Sequence, residues 1–239
     1  DESTLPVIDN EKHRAVKGYV WTIRNALNGD VYFHYDRGSR SGDTARRLIG
    51  GYRGTLQTDG YEVYHIFENS PGKQLLGCWA HVRRKFVEAL DEDKRHASEA
   101  LVYIGKLYAL EKEMSDASLS PHEVCLRRQK EAYPIIQAFE QWLLSVSTHV
   151  LPKSRIGKAI SYTYVLLPRL SRYVNDGRYR MDNHGIENAI RPLAVGRKND
   201  LFCGIHLILD LSRVCFMDCA MIRFLFTLNQ LLQKRNSSL

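Results

Sequence analysis

No two cysteines in the chain are spaced Cys-x-x-Cys, and the five present (Cys78, Cys125, Cys203, Cys215 and Cys219) are odd in number. This argues against a zinc ribbon, a redox dithiol or a disulfide-stapled scaffold, and the expectation is reduced cytosolic thiols. Also missing is a long uninterrupted apolar run. The most apolar stretch, residues 205–232, is broken by Asp210, Arg213, Asp218 and Arg223, which argues against a membrane span. No signal peptide, internal repeat or low-complexity linker is visible. What is present is ordinary globular material: 239 residues, 44% hydrophobic and 26% charged. That suits one large domain or two small ones and excludes a wholly disordered or collagen-like chain. Lys and Arg outnumber Asp and Glu by 34 to 27, a net charge of +7. Such a surface is consistent with a polyanionic partner such as nucleic acid.

The pattern along the chain reads as α/β. Residues 1–8 form a strand, and residues 17–26 and 30–35 are rich in β-branched and aromatic side chains. Asn28-Gly29 between the latter two signals a hairpin. Residues 43–49 suit a short helix with Asp43 or Thr44 near its N-cap. Short strands are expected at 54–58 and 74–79, the second leading into a basic helix through His81-Val82-Arg83-Arg84-Lys85-Phe86. From about residue 97 the character changes. Leu101, Ile104, Leu107, Tyr108 and Glu111 fall at helical spacing, and Pro121 and Pro134 punctuate further helices. This predicts a helical block inserted into the α/β domain, extending to about residue 173.

Three acids stand at positions suited to metal binding. Asp1 lies on the first strand, Asp59 follows a strand and precedes Gly60, and Glu187 lies at helical spacing in MDNHGIENAIRP. A carboxylate at a rigid strand end, beside a small residue, is a natural ligand for Mg²⁺, which takes a few carboxylates and fills its shell with water and phosphate oxygens. Two such ions can activate an attacking oxygen and stabilise a leaving one. Each acid also has a plainer reading: a solvated terminus, a turn, and first-turn decoration of a helix that Asp182-Asn183 begins.

The longer words decide between these readings. LQTDGYEVY, GCWAHVRRKF, DGRYRMDNHGIENAIRPLAVGRKN and LFCG occur in this order, and DEST opens the chain. Together they closely resemble the bacterial insertion-sequence transposases of the IS66 family, over residues 1 to about 204. The resemblance implies a DDE transposase catalytic domain with an RNase H-like mixed sheet flanked by helices. It assigns Asp1, Asp59 and Glu187 as the catalytic, metal-binding acids, with Mg²⁺ or Mn²⁺ as cofactor. Water first opens a phosphodiester at the element end; the freed 3′-OH then attacks target DNA. Glu187 lies 128 positions after Asp59, and the helical block accounts for that spacing as a large insertion between the second Asp and the Glu. Cys78 and His81 resemble the Cys-x-x-His element of several DDE groups and are, with Asp182 and Asn183, expected beside the site. The plainer reading is a buried Cys and Trp with a surface His.

The expected organisation is a first part of the core at 1–96, a helical insertion at 97–176, the glutamate helix and end of the core at 177–204, and a divergent tail at 205–239. Basic residues crowd each catalytic element: Arg37, Arg40, Arg46, Arg47 and Arg53 before Asp59; Arg83, Arg84 and Lys85 after Cys78; and Arg191, Arg197 and Lys198 after Glu187. Arg83, Arg84, Arg197 and Lys198 are the expected phosphate contacts. Tyr61 and Tyr64 could stack on bases, but core packing is the favoured reading. Expected partners are element ends and target DNA, with a homo-oligomer on DNA in the full-length protein and no membrane. The expected location is the bacterial cytoplasm, at the nucleoid.

Three departures qualify the resemblance. Asp1 has no preceding strand residues, which points to processing or a fragment, and the family's N-terminal DNA-recognition region is absent. Asn183 is followed by His184 where the family has a second Asn. After Gly204 the family's Ala-rich helix gives way to IHLILDLSRVCFMDCAMIRFLFTLNQ, which reads as a shifted frame or, alternatively, a divergent helix. Transposase ancestry thus leaves three expectations: a strand-transferring core, a metal-dependent nuclease, or an inactive remnant that only binds DNA.

Overall fold

The computed structural model describes residues 1–9, 14–36 and 40–199, with backbone alone at 6–9 and 192–199. The tail at 205–239, and with it Cys215 and Cys219, lies outside the described residues, as do Arg37 and Cys203. In chain order the strands and α-helices are β1 (Glu2–Asp9), β2 (Arg14–Arg24), β3 (Val31–Asp36), α1 (Gly42–Ile49), β4 (Gly54–Gln57), β5 (Lys73–Leu76), α2 (Trp79–Ala89), α3 (Lys94–Asp116), α4 (Pro121–Arg127), α5 (Tyr133–Ser147), α6 (Arg155–Leu170) and α7 (His184–Asn199). The described residues divide into two compact units, one formed by residues 1–51 with α7, the other by Tyr52–Asn183.

In the first unit β1, β2 and β3 form an antiparallel sheet in that order. Glu2 pairs with Trp21 and Val31 with Arg24 in its two ladders. The central strand carries the sheet's core, with Val20, Trp21 and Thr22 all buried. The β2–β3 connection is longer than a two-residue turn. Asn25 N–H donates to the Asp30 carbonyl (2.8 Å) and Gly29 N–H to the Asn25 carbonyl (3.0 Å). Gly29 supplies the left-handed residue (φ +84°) and the Asn25 and Asn28 side chains cap the loop backbone. Helix α1 is capped by Ser41, two and three residues earlier than the expected Asp43 or Thr44. Thr44 instead donates its hydroxyl to Asp36, which also pairs with Arg47 at 2.8 Å, tying α1 to the end of β3. Helix α7 packs on β1 and β2.

In the second unit β4 and β5 pair in parallel, from Gly54 with Lys73 to Gln57 with Leu76. A 3₁₀ turn (Glu62–Phe67) lies in the crossover and buries Tyr64 and Phe67. The core is helical. On α2 the buried residues are Trp79, Val82, Phe86 and Ala89, a single apolar stripe, and the intervening Arg83, Arg84 and Lys85 are exposed. That stripe meets α3 and α6, and α5 packs on both of those helices. Trp79, Phe86, Tyr103, Phe139 and Trp142 form a continuous ring cluster with centroids 5.3–6.4 Å apart. Pro121 and Pro134 sit in the first turns of α4 and α5, where a missing N–H costs little. Between those helices the chain makes one π turn, Arg128–Ala132. Arg128 points inward there, its guanidinium donating to both Glu111 oxygens and to the carbonyls of Tyr173 and Asp176.

Candidate active site

Asp59 lies two residues past β4. Its Oδ1 accepts the Tyr61 N–H at 2.8 Å, an Asx turn, and Gly60 takes the left-handed conformation this needs (φ +88°). The turn and the half-buried carboxylate are therefore one feature. Tyr162 of α6 donates its hydroxyl to the Asp59 carbonyl at 2.8 Å. Burial, and then the Asp59 charge, push that phenol up to about 12. Nothing in the sequence pointed to Tyr162, which lies 103 positions away.

Cys78 and Asn183 meet. The buried thiol donates to Asn183 Oδ1 at 2.9 Å and accepts the Asn183 N–H at 3.4 Å. Burial drives this thiol up to about 11, although the amide hydrogens of Asn183, His81 and Ala80 pull the other way. Trp79 is buried, as the plainer reading had it, whereas His81 is half-buried and not a surface side chain. Around this pair the segment 179–183 is fastened at each step. Thr55 bonds Tyr179 through their hydroxyls (2.8 Å), Gln57 donates to the Arg180 carbonyl (2.9 Å), Trp79 N–H to that of Met181 (3.1 Å) and Tyr108 to Asp182 Oδ2 (3.3 Å). Burial, followed by the Asp182 charge, raises the Tyr108 phenol far above its usual range. The segment so held runs directly into α7.

In the first unit Asp1 enters the ladder opposite Thr22, whose N–H donates to the Asp1 carbonyl at 2.7 Å. Because strand side chains alternate, Asp1 and Glu2 lie on opposite faces of β1. The Glu2 carboxylate is fully buried and bonded to Arg40 at 2.6 Å, a structural role that the sequence word DEST did not reveal. Glu187 is half-buried in the first turn of α7. Gly185 brings that turn close to Arg24 of β2, where a methyl group would approach Nη1 to 2.8 Å. Asp1 and Glu187 thus belong to one unit and Asp59 to the other. Among the described residues, no three His, Cys, Asp or Glu side chains gather where they could hold a metal ion.

The basic residues divide in the same way. Arg40, Arg46 and Arg47 are engaged by Glu2, Asp43 and Asp36. Arg83 and Arg84 stand on the exposed face of α2. The side chains of Arg197 and Lys198 lie outside the described residues.

The family model described as the Transposase IS66 family matches residues 1–207. The chain belongs to this family. Three uncharacterized proteins of Sinorhizobium fredii are similar to it: y4qI at 31% identity over 219 residues, y4jD at 30% over 218 and y4hP at 26% over 227. Each alignment takes in 85% of this chain and only 40–42% of the relative. The chain therefore spans about two fifths of the length of the curated relatives it matches. No solved structure matches it. The IS66 match takes in Asp1, Asp59, Cys78, Asn183 and Glu187 and ends at residue 207. None of the helices described is long and apolar enough to cross a membrane.

Proposed function

We propose that this chain is the catalytic domain of a DDE transposase, cutting DNA at element ends and joining the freed 3′-OH to target DNA. The observation that carries the reading is the IS66 match over residues 1–207, which includes all three acids. The element order supports it: three antiparallel strands with Asp1 just before the first, then parallel strands with Asp59 two residues past the first, then a last helix with Glu187 in its first turn. That order suits an RNase H-like core, with α3 to α6 as the insertion between Asp59 and Glu187.

Asp1, Asp59 and Glu187 offer half-buried carboxylate oxygens, the donor set that Mg²⁺ or Mn²⁺ takes. When bound, such ions supply nucleophile activation and charge stabilisation in phosphodiester exchange. The chain's own residues do the rest. The Asx turn fixes the Asp59 carboxylate relative to β4. Arg83 and Arg84, with Arg197 and Lys198, hold phosphates without reading sequence. Cys78 and Asn183 fix the chain where it enters α7. Element ends and target DNA are the partners, and the full-length protein works as a homo-oligomer on them.

The test is nicking of supercoiled plasmid in Mn²⁺, together with joining of a labelled 3′-OH duplex to that plasmid. Both reactions are expected from the chain and neither from Asp59→Asn or Glu187→Gln. Nicking without joining would make it a metal-dependent nuclease. Salt-sensitive DNA binding with neither reaction would make it a DNA-binding remnant.

A further inference from the structure

Helix α6 belongs to the helical block, yet it reaches the turn that carries Asp59. Two of its side chains do so. The Tyr162 hydroxyl donates to the Asp59 carbonyl at 2.8 Å, and Leu166 packs over Gly60. A methyl group on Gly60 would lie 2.8 Å from both the Tyr162 hydroxyl and Leu166 Cδ1, so the turn is seated on α6 with no space to spare. The ring of Tyr162 is itself held, with Lys85 Nζ 5.8 Å from its centroid. The Asx turn restrains the Asp59 carboxylate from within the turn, and the Tyr162 bond to the Asp59 carbonyl adds a second restraint from outside it. A hydrogen bond to that carbonyl fixes the peptide plane and, through it, the direction of Cα–Cβ.

We infer that Tyr162 is a positioning residue for Asp59, the helical block acting through its hydroxyl to aim the carboxylate at a divalent cation. This rests on the reading of Asp59 as a metal ligand given above. A helical block that merely fills space between Asp59 and Glu187 would not need a phenol at this point; phenylalanine would pack as well.

The experiment is a Mn²⁺ titration of the full chain followed by water-proton relaxation, comparing wild type, Tyr162→Phe and Asp59→Asn, with thermal melting of each. One neutral hydrogen bond corresponds to about a 3- to 10-fold change in affinity. Tyr162→Phe is therefore expected to weaken Mn²⁺ binding by about that factor at a temperature where the variant is fully folded, and Asp59→Asn to abolish it. Wild-type affinity in Tyr162→Phe, with binding lost in Asp59→Asn, overturns the positioning role alone. Unchanged binding in Asp59→Asn overturns the metal reading and the positioning role with it. If Tyr162→Phe does not fold, Gly60→Ala disturbs the same contact from the turn's side. It is expected to weaken Mn²⁺ binding in the same way, and wild-type affinity there refutes the inference.

Discussion

Arg128 is the most heavily bonded buried charge described, and replacing it with Met measures how firmly the helical unit holds the route towards α7. Met keeps the apolar stem and removes every donor. The loss includes a two-point bond to Glu111 (2.8 and 2.6 Å), bonds to the carbonyls of Tyr173 (3.1 Å) and Asp176 (2.9 Å), and the stacking of the guanidinium 4.9 Å from the Tyr173 ring centroid. Removing one member of a buried pair costs about 3–5 kcal/mol, because the other charge is left uncompensated. The Glu111 side chain keeps 21% exposure and regains some hydration, which places the expectation at the lower end, about 3 kcal/mol. Arg128→Lys restores the charge without the planar fork and should recover only part of it. Urea unfolding followed at 222 nm reads this unit, since α2 to α6 dominate the helical signal. A loss below about 1 kcal/mol for Arg128→Met would refute the reasoning, showing that Glu111 rehydrates and is not left buried and uncompensated.

Three further outcomes follow. With its thiol near 11, Cys78 is about one part in a thousand thiolate at pH 8, so site-resolved alkylation should label it far more slowly than half-buried Cys125; equal rates would contradict the buried Cys78–Asn183 bond. If Arg83 and Arg84 both contact duplex phosphates, their joint replacement by Ala should reduce the slope of log K against log salt by about 2; an unchanged slope would remove them from the interface. Asp93 caps α3 by accepting the His96 N–H, and the His96 side chain, then the burial-opposed backbone bond, hold its carboxyl below the usual range. A lowered folded value means that its contribution is present above the unfolded value, near pH 4, and is lost as pH falls through the folded one. Asp93→Ala should therefore cost about 0.5–2 kcal/mol at pH 7 and little at pH 2, as read by urea unfolding at the two values.

Much of the local structure was legible because it is written locally. The alternating apolar residues of β2 and β3, the Asn-Gly signal between them, the stripe on α2 and the prolines opening α4 and α5 all act over a few residues. What depends on distant partners was not. Nothing near Gly54 or Lys73 says that β4 and β5 pair in parallel. Nothing around Glu2 points to its buried pairing with Arg40, 38 positions on. Cys78 and Asn183 were each singled out, but their bond spans 105 positions. Tyr162 carried no signal at all, since a tyrosine on a helix is ordinarily core or surface. The Asp59-Gly60 pair offered a choice between turn and ligand; the structure shows the turn, with the carboxylate itself accepting the Tyr61 N–H.

The central claim is that Asp1, Asp59 and Glu187 serve one metal-dependent site. Calorimetric titration of Mg²⁺ or Mn²⁺ into the purified chain, with Glu187→Gln beside it, tests that most directly. The account predicts binding in the wild-type chain that is lost in Glu187→Gln while both remain folded. Equal binding in the two, or none in a folded wild-type sample, would contradict it.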